Sequence, residues 1–206
     1  MTTAPKRVTV LASIIAALAV VLAAGGWSLY RFLSPTPTKV TMNAAQAKNK
    51  AEQLLDDTLS ALRPTVACQP DYPQAVLNHT GADSTYDGTA RVLVTRDLST
   101  AVSNAKLGVL VNLVAQRWKQ RGYRVNVNHA SNGVPSAEAD TADGDHLSVR
   151  LIRAGTVSVQ ATVGTFQGPA KEIDGDWVYG KPHQIQLDAN GNAVFPPLKN
   201  DPYWSR

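Results

Sequence analysis

"LSTAVSNAKLGVLVNLVAQRWKQRGYRVNV", Leu98 to Val127, changes its period partway along. Leu107, Leu110, Val111, Val114 and Trp118 recur at helical spacing and make one apolar stripe. Gly122 supplies a left-handed stop. Tyr123, Val125 and Val127 then alternate with Arg124, Asn126 and Asn128, which is the period of a strand with one buried face. Ser99 or Asp97 is placed to cap the helix. Gly108 inside it costs about 1 kcal/mol relative to alanine, which predicts a close neighbour at that point.

Upstream, "TARVLVTRD" turns Ala90, Val92 and Val94 to one side and Arg91, Leu93 and Thr95 to the other. A first helix is expected after Asn43, its cap, with Ala51, Leu55, Leu59 and Leu62 as its stripe and Pro64 as its stop. Lys50, Gln53 and Asp57 form its opposite face. Residues 65–88 carry Pro70, Pro73, Gly81 and Gly88 and predict turns rather than a long element. Asn78-His79-Thr80 within them matches a glycosylation acceptor by pattern alone.

Downstream, Ser136 to Phe166 reads as a meander turning at Asp143-Gly144 and Ala154-Gly155. Leu147, Val149 and Leu151 alternate with Ser148 and Arg150. Val157, Val159, Ala161 and Val163 alternate with Ser158, Gln160 and Thr162. The pattern predicts an α+β fold with two helices on one face of a mostly antiparallel sheet of four to five strands. The other face would be polar, with Arg91, Arg124, Arg150, Gln160 and Thr162 among its residues. After Phe166 the chain turns often, with a small hairpin expected around Asn190-Gly191. The tail, 167–206, is expected to dock loosely through Trp177, Phe195, Tyr203 and Trp204, or to be partly disordered.

The N-terminal stretch predicts location. Val8 to Tyr30 holds 23 residues without a charged side chain, about 34 Å as a helix. Three readings stand: an uncleaved anchor, a signal peptide cut near Ala23-Ala24-Gly25, and a helix of the core. Trp27 and Tyr30 at headgroup depth, then Arg31, favour the anchor. The expected organisation is a cytoplasmic leader (1–7), a transmembrane helix (8–33), a linker (34–43), an extracytoplasmic domain (44–166) and the tail. That places the chain in the cell membrane as a single-pass protein, with the large domain outside the cytoplasm. The net charge of +4 belongs entirely to Lys6, Arg7, Arg31 and Lys39 around this span. From residue 40 onward, seven lysines and nine arginines meet sixteen acidic residues. That balance points to the membrane as a partner and away from nucleic acid.

Motifs for chemistry are scarce. Cys68 is the single cysteine, expected as a small buried or half-buried residue. His79, His129, His146 and His183 lack a second His or Cys at metal-ligand spacing. Asp143 and Asp145 beside His146 read as turn aspartates, as do Asp174 and Asp176. Asp188, Asn190 and Asn192 imitate a calcium loop, but its glycine position is Ala193 and its glutamate position is Lys199. No Gly-x-Ser-x-Gly and no phosphate loop occurs. The basic run Arg117, Lys119 and Arg121, with Arg124, reads as cations favouring a helix C-terminus. No catalytic, cofactor-binding or metal-binding residue is expected, and no enzyme. The expected role is a membrane-tethered module that binds a protein or another envelope component through the open sheet face. The alternative is a small-ligand or lipid carrier, or a hydrolase, with a pocket between helices and sheet. A third reading is an accessory subunit acting through its transmembrane helix.

Trp118, Arg121, Gly122, Tyr123 and Val125, with the single anchor and the Pro/Thr spacer, carry a family likeness. The chain resembles small membrane-anchored or lipoprotein-like envelope proteins of actinobacteria such as Streptomyces, mostly of unassigned function. The resemblance covers about residues 45–165. It implies a cysteine pair or an acylated cysteine, where this chain has only Cys68, and it implies no catalytic residues.

Overall fold

The computed structural model describes residues 39–80, 84–130, 133–153, 155–168 and 196–206, and short strands at 177–178, 186–187 and 193–194. The leader (1–7), the expected transmembrane helix (8–33) and half of the linker (34–38) lie outside the described residues. Among the described residues no helix is long and apolar enough to cross a membrane. The chain divides into two compact units: residues 1–38 with His79–Asp87, and Lys39–Asn78 with Gly88–Arg206. In the described part of the first, the His79 and Tyr86 rings stand 6.1 Å apart. The elements below belong to the second, apart from strand residues 79–80 and 85–87.

Two helices, α1 (Ala44–Leu59) and α2 (Asn104–Gln120), cover one face of a sheet. In chain order its strands are β1 (Tyr72–Thr80), β2 (Thr85–Asp97), β3 (Arg124–His129), β4 (Pro135–Asp140), β5 (His146–Arg153) and β6 (Thr156–Gln167). The spatial order is β3-β4-β5-β6-β2-β1, and the two-residue β7 (Trp177–Val178) pairs antiparallel with β1. The expected α+β, two-layer, antiparallel arrangement is therefore present with six full strands, not four to five. The addition is β1, inside the region expected only to turn. Pro70 and Pro73 precede or open that strand, and Ala75 is its one buried residue, so alternation is faint. The small hairpin is present as β8 (Gln186–Leu187) against β9 (Ala193–Val194).

Alternation built the rest. Ala90, Val92, Val94, Leu147, Val149, Val157, Val159, Ala161 and Val163 are all buried under the helices. Leu107, Leu110, Val111, Val114 and Trp118 meet them from α2, and Ala47, Ala51 and Leu55 from α1. Asn43 caps α1 as expected: its side chain accepts from the Gln46 amide while Gln46 reaches back to the Asn43 amide, a capping box. The cap of α2 differs from expectation. Ser103 occupies it, and Asp97 and Ser99 remain with the β2 end. Ser103 donates its hydroxyl to the Arg206 carbonyl instead of capping its own helix.

The expected polar face of α1 is put to use. Asp57 accepts from Arg117 of α2 and from Arg121, its C-cap, so these two basic residues hold the helices together. Beside it Trp118 donates its indole N–H to Thr58 at 2.8 Å, which satisfies a fully buried ring. Lys50 pairs with Asp143 and with the buried Asp145, at 2.8 and 2.7 Å. Asp145 also accepts from the Gly164 amide, tying the β4–β5 turn to β6. Arg96, at an inward-facing position on β2, grips Asp71 with two nitrogens at 2.5 and 2.6 Å and Asp56 with a third.

At the chain's entry to the domain, Thr41 and Met42 bond the Thr165 carbonyl, and Thr165 returns its amide to the Thr41 hydroxyl. Gly164 next door has φ +61°, and a Cβ there would meet the Met42 sulfur at 2.7 Å. Of the tail's expected anchors, Trp204 is fully buried with its indole N–H on the Pro64 carbonyl, and Tyr203 is exposed. The Trp177 and Phe195 side chains lie outside the described residues.

Gly108 corrects another expectation: no atom lies within 4 Å of where its Cβ would stand. Gly108→Ala should therefore stabilise the domain by about 1 kcal/mol in urea unfolding. Asp57 gives a pH test. The Arg121 bond holds its carboxyl below the ordinary 3.8, burial acts against that shift, and Arg117 adds to it. A depressed folded pKa contributes stability above the unfolded value, lost as pH falls through the folded one. The stability gap between wild type and Asp57→Asn should be constant above about pH 5 and shrink below 3.8 as the chain is acidified.

Candidate functional site

The uncovered face of the sheet carries its polar groups in cross-strand rows. Register places Asn126, Glu138, Ser148, Gln160 and Thr95 side by side across β3, β4, β5, β6 and β2. A second row runs Arg124, Asp140, His146, Thr162 and Leu93. Across them opens a groove of about 360 Å³, lined by Ser136, Glu138, His146, Ser148, Arg150, Gln160 and Thr162 among others.

The residues expected on this face divide in two. Arg150, Gln160 and Thr162 line the groove. Arg91 is turned aside by three backbone carbonyls, those of Gly144, Thr162 and Gly164. Arg124 is held by Asp140 at 2.7 Å. Ser136, Glu138, His146 and Ser148 also line it and were not singled out for this face. Ser148 had the right alternation. His146, grouped with a turn, is the first residue of β5.

The Asp140 Oδ1 lies 2.9 Å from the His146 Nδ1. That contact first, and Arg124 second, hold the Asp140 carboxyl below its ordinary value. An oriented His–Asp pair is half of a nucleophilic triad. Of the hydroxyls on this face, Thr162 stands opposite His146 by register, and that of Ser148, two residues along β5, is directed to Gln160 at 3.5 Å. Gln160 in turn donates to Thr95 at 3.2 Å, so this row is a hydrogen-bonded ladder. Glu138 and Arg150 are different: each is exposed, and among the described residues neither has an ion pair.

Of the other histidines, His79 and His129 are exposed, and His183 lies outside the described residues. So do Asp174, Asp176, Asp188, Asn190 and Asn192. Among the described residues no three of His, Cys, Asp and Glu gather as a metal centre. Asn78, the glycosylation-pattern residue, uses its amide on the Thr89 hydroxyl. The space between helices and sheet, where the alternative reading put a pocket, is filled by Trp118, Leu55, Leu110, Val92 and their neighbours.

Fold and face together define a two-layer α+β protein whose sheet is packed on one side and open and polar on the other. No protein-family model matches the chain, and no curated protein sequence matches it. A solved structure, that of a DUF4853 family protein from the actinobacterium Actinomyces odontolyticus, overlaps it with a TM-score of 0.35 at 14% identity. The overlap covers 79% of this chain and 94% of that one. At that score the likeness carries no argument about role.

Cys68 is exposed as a residue, contrary to the expected burial. Its thiol is nonetheless poorly solvated, and desolvation is the largest influence raising it above its ordinary 9.0, against the opposing field of Arg96. The thiolate is the reactive form. Alkylation of Cys68 by iodoacetamide at neutral pH should therefore be slower than that of free cysteine, and should accelerate as pH is raised past 9.0.

Proposed function

We propose that this chain is a non-enzymatic binding module, held at the outer side of a membrane by its N-terminal apolar stretch, that engages an envelope protein through the open sheet face. The supporting observation is the groove: a concave, polar site on the sheet, lined by a carboxylate, Glu138, and a guanidinium, Arg150, that have no ion pair among the described residues. Such charges give orientation and partner selection more than raw affinity. The tether rests on the 23-residue uncharged stretch from Val8 to Tyr30 and the four cations that flank the span.

The test uses a photocrosslinking residue at Ser148, in the groove, and at Gln53, on the exposed side of α1. In intact cells the Ser148 variant should give an adduct of defined mass that the Gln53 variant lacks, and Arg150→Glu should remove it. Equal adducts from both sites, or an adduct indifferent to Arg150→Glu, would overturn this reading.

A further inference from the structure

The charges of the groove are not all engaged. Of the three ionisable side chains that line it, His146 is in contact with Asp140, while Glu138 and Arg150 have no ion pair among the described residues. Neighbouring arginines of the same face are committed elsewhere, Arg91 to three backbone carbonyls and Arg124 to Asp140. One carboxylate and one guanidinium in the groove therefore stand ready for groups from outside.

Register fixes how the two stand. Glu138 of β4 lies opposite Ser148 of β5, and Arg150 is two residues further along β5 on the same face. They are diagonal neighbours, with Cα atoms roughly 7–8 Å apart. An extended chain rises about 3.3 Å per residue and its side chains alternate, so residues two apart face one way at about 6.6 Å. Adjacent residues, and residues three apart, face opposite ways, and residues four apart are separated by about 13 Å. A strand laid on this face thus meets both charges with side chains two positions apart.

The rest of the lining narrows the class of ligand. No Phe, Tyr or Trp lines the groove, so a nucleobase has no ring to stack on. A phosphate-rich ligand would set negative charge against Glu138. The hydroxyls of Ser136 and Thr162 can both donate and accept, which suits the amides and carbonyls of a polypeptide. At about 360 Å³ the groove is at the small end of ligand-sized clefts and takes a few residues of chain.

We propose that the groove receives an extended segment of its protein partner with one basic and one acidic residue two positions apart, the base on Glu138 and the acid on Arg150. This rests on the binding reading above and adds to it the charge pattern of the partner.

The experiment titrates the full chain, in detergent at low salt, with blocked threonine peptides that carry two charged residues, and follows the backbone amide signals of Glu138, Ser148 and Arg150. The peptide with lysine and glutamate two positions apart should bind about two- to fivefold more tightly than its lysine–lysine, glutamate–glutamate or adjacent-charge versions. Arg150→Glu should turn the preference to the lysine–lysine peptide, and Glu138→Arg to the glutamate–glutamate peptide. Both positions are exposed, and an unchanged urea midpoint shows that each variant folds. Equal affinity for all four peptides, or one ranking shared by wild type and both variants, sinks the charge pattern. If that happens while the Ser148 crosslink still forms in cells, the pattern fails and the binding reading stands. A ranking that switches with the charges while no crosslink forms supports the pattern and removes the envelope protein as its source.

Discussion

Trp118 is where the two helices and the sheet meet. A side chain of that size can be wholly buried only if its N–H finds an acceptor, and Thr58 of α1 supplies one at 2.8 Å. That single bond fixes the rotation of α1 against α2, because Thr58 must face inward. Asp57 then faces the last turn of α2, where Arg117 and Arg121 take it. Leu55 and Ala51, one and two turns back, are thereby set over the sheet. The apolar stripes drive association, but this polar contact decides which way they are turned.

With both helices committed to one face, the other face is free to be polar. The same β6 strand alternates Val157, Val159, Ala161 and Val163 toward the helices with Ser158, Gln160 and Thr162 away from them. Along that outer surface the character changes with position. At the centre Gln160 belongs to an accessible ladder. Toward the β5–β6 turn, Thr156 and Ser158 are closed in. One strand thus runs from an accessible polar row to closed-in hydroxyl residues two positions away.

Periodicity carried the sequence reading, and its reach was set by what periodicity encodes. The α2 stripe and the inward residues of β2, β5 and β6 were legible because burial forces apolar side chains at fixed intervals. β1 was not, since it has a single buried residue and opens beside prolines. Polar partners were equally hidden: nothing in the spacing of Lys50 and Asp145, or of Asp57 and Arg121, announces that they meet across 95 and 64 residues. Gly108 shows the opposite error, a feature that suggested packing and faces open space. The groove fell between these cases. Arg150, Gln160 and Thr162 followed from alternation, whereas Glu138 and His146 needed the β4–β5 register, which only the paired strands define.

The stitching of Thr41 and Met42 to Thr165 has a mechanical meaning. Tension arriving through residue 39 meets the end of β6 before it reaches α1. β6 is flanked by β5 and β2, so that strand can be displaced only by breaking ladders on both of its sides. The first helix is shielded from the pull by the residues that precede its cap. A domain loaded in this manner yields last at its own centre, and α1 can stay seated on the sheet while the chain leading to it is under strain.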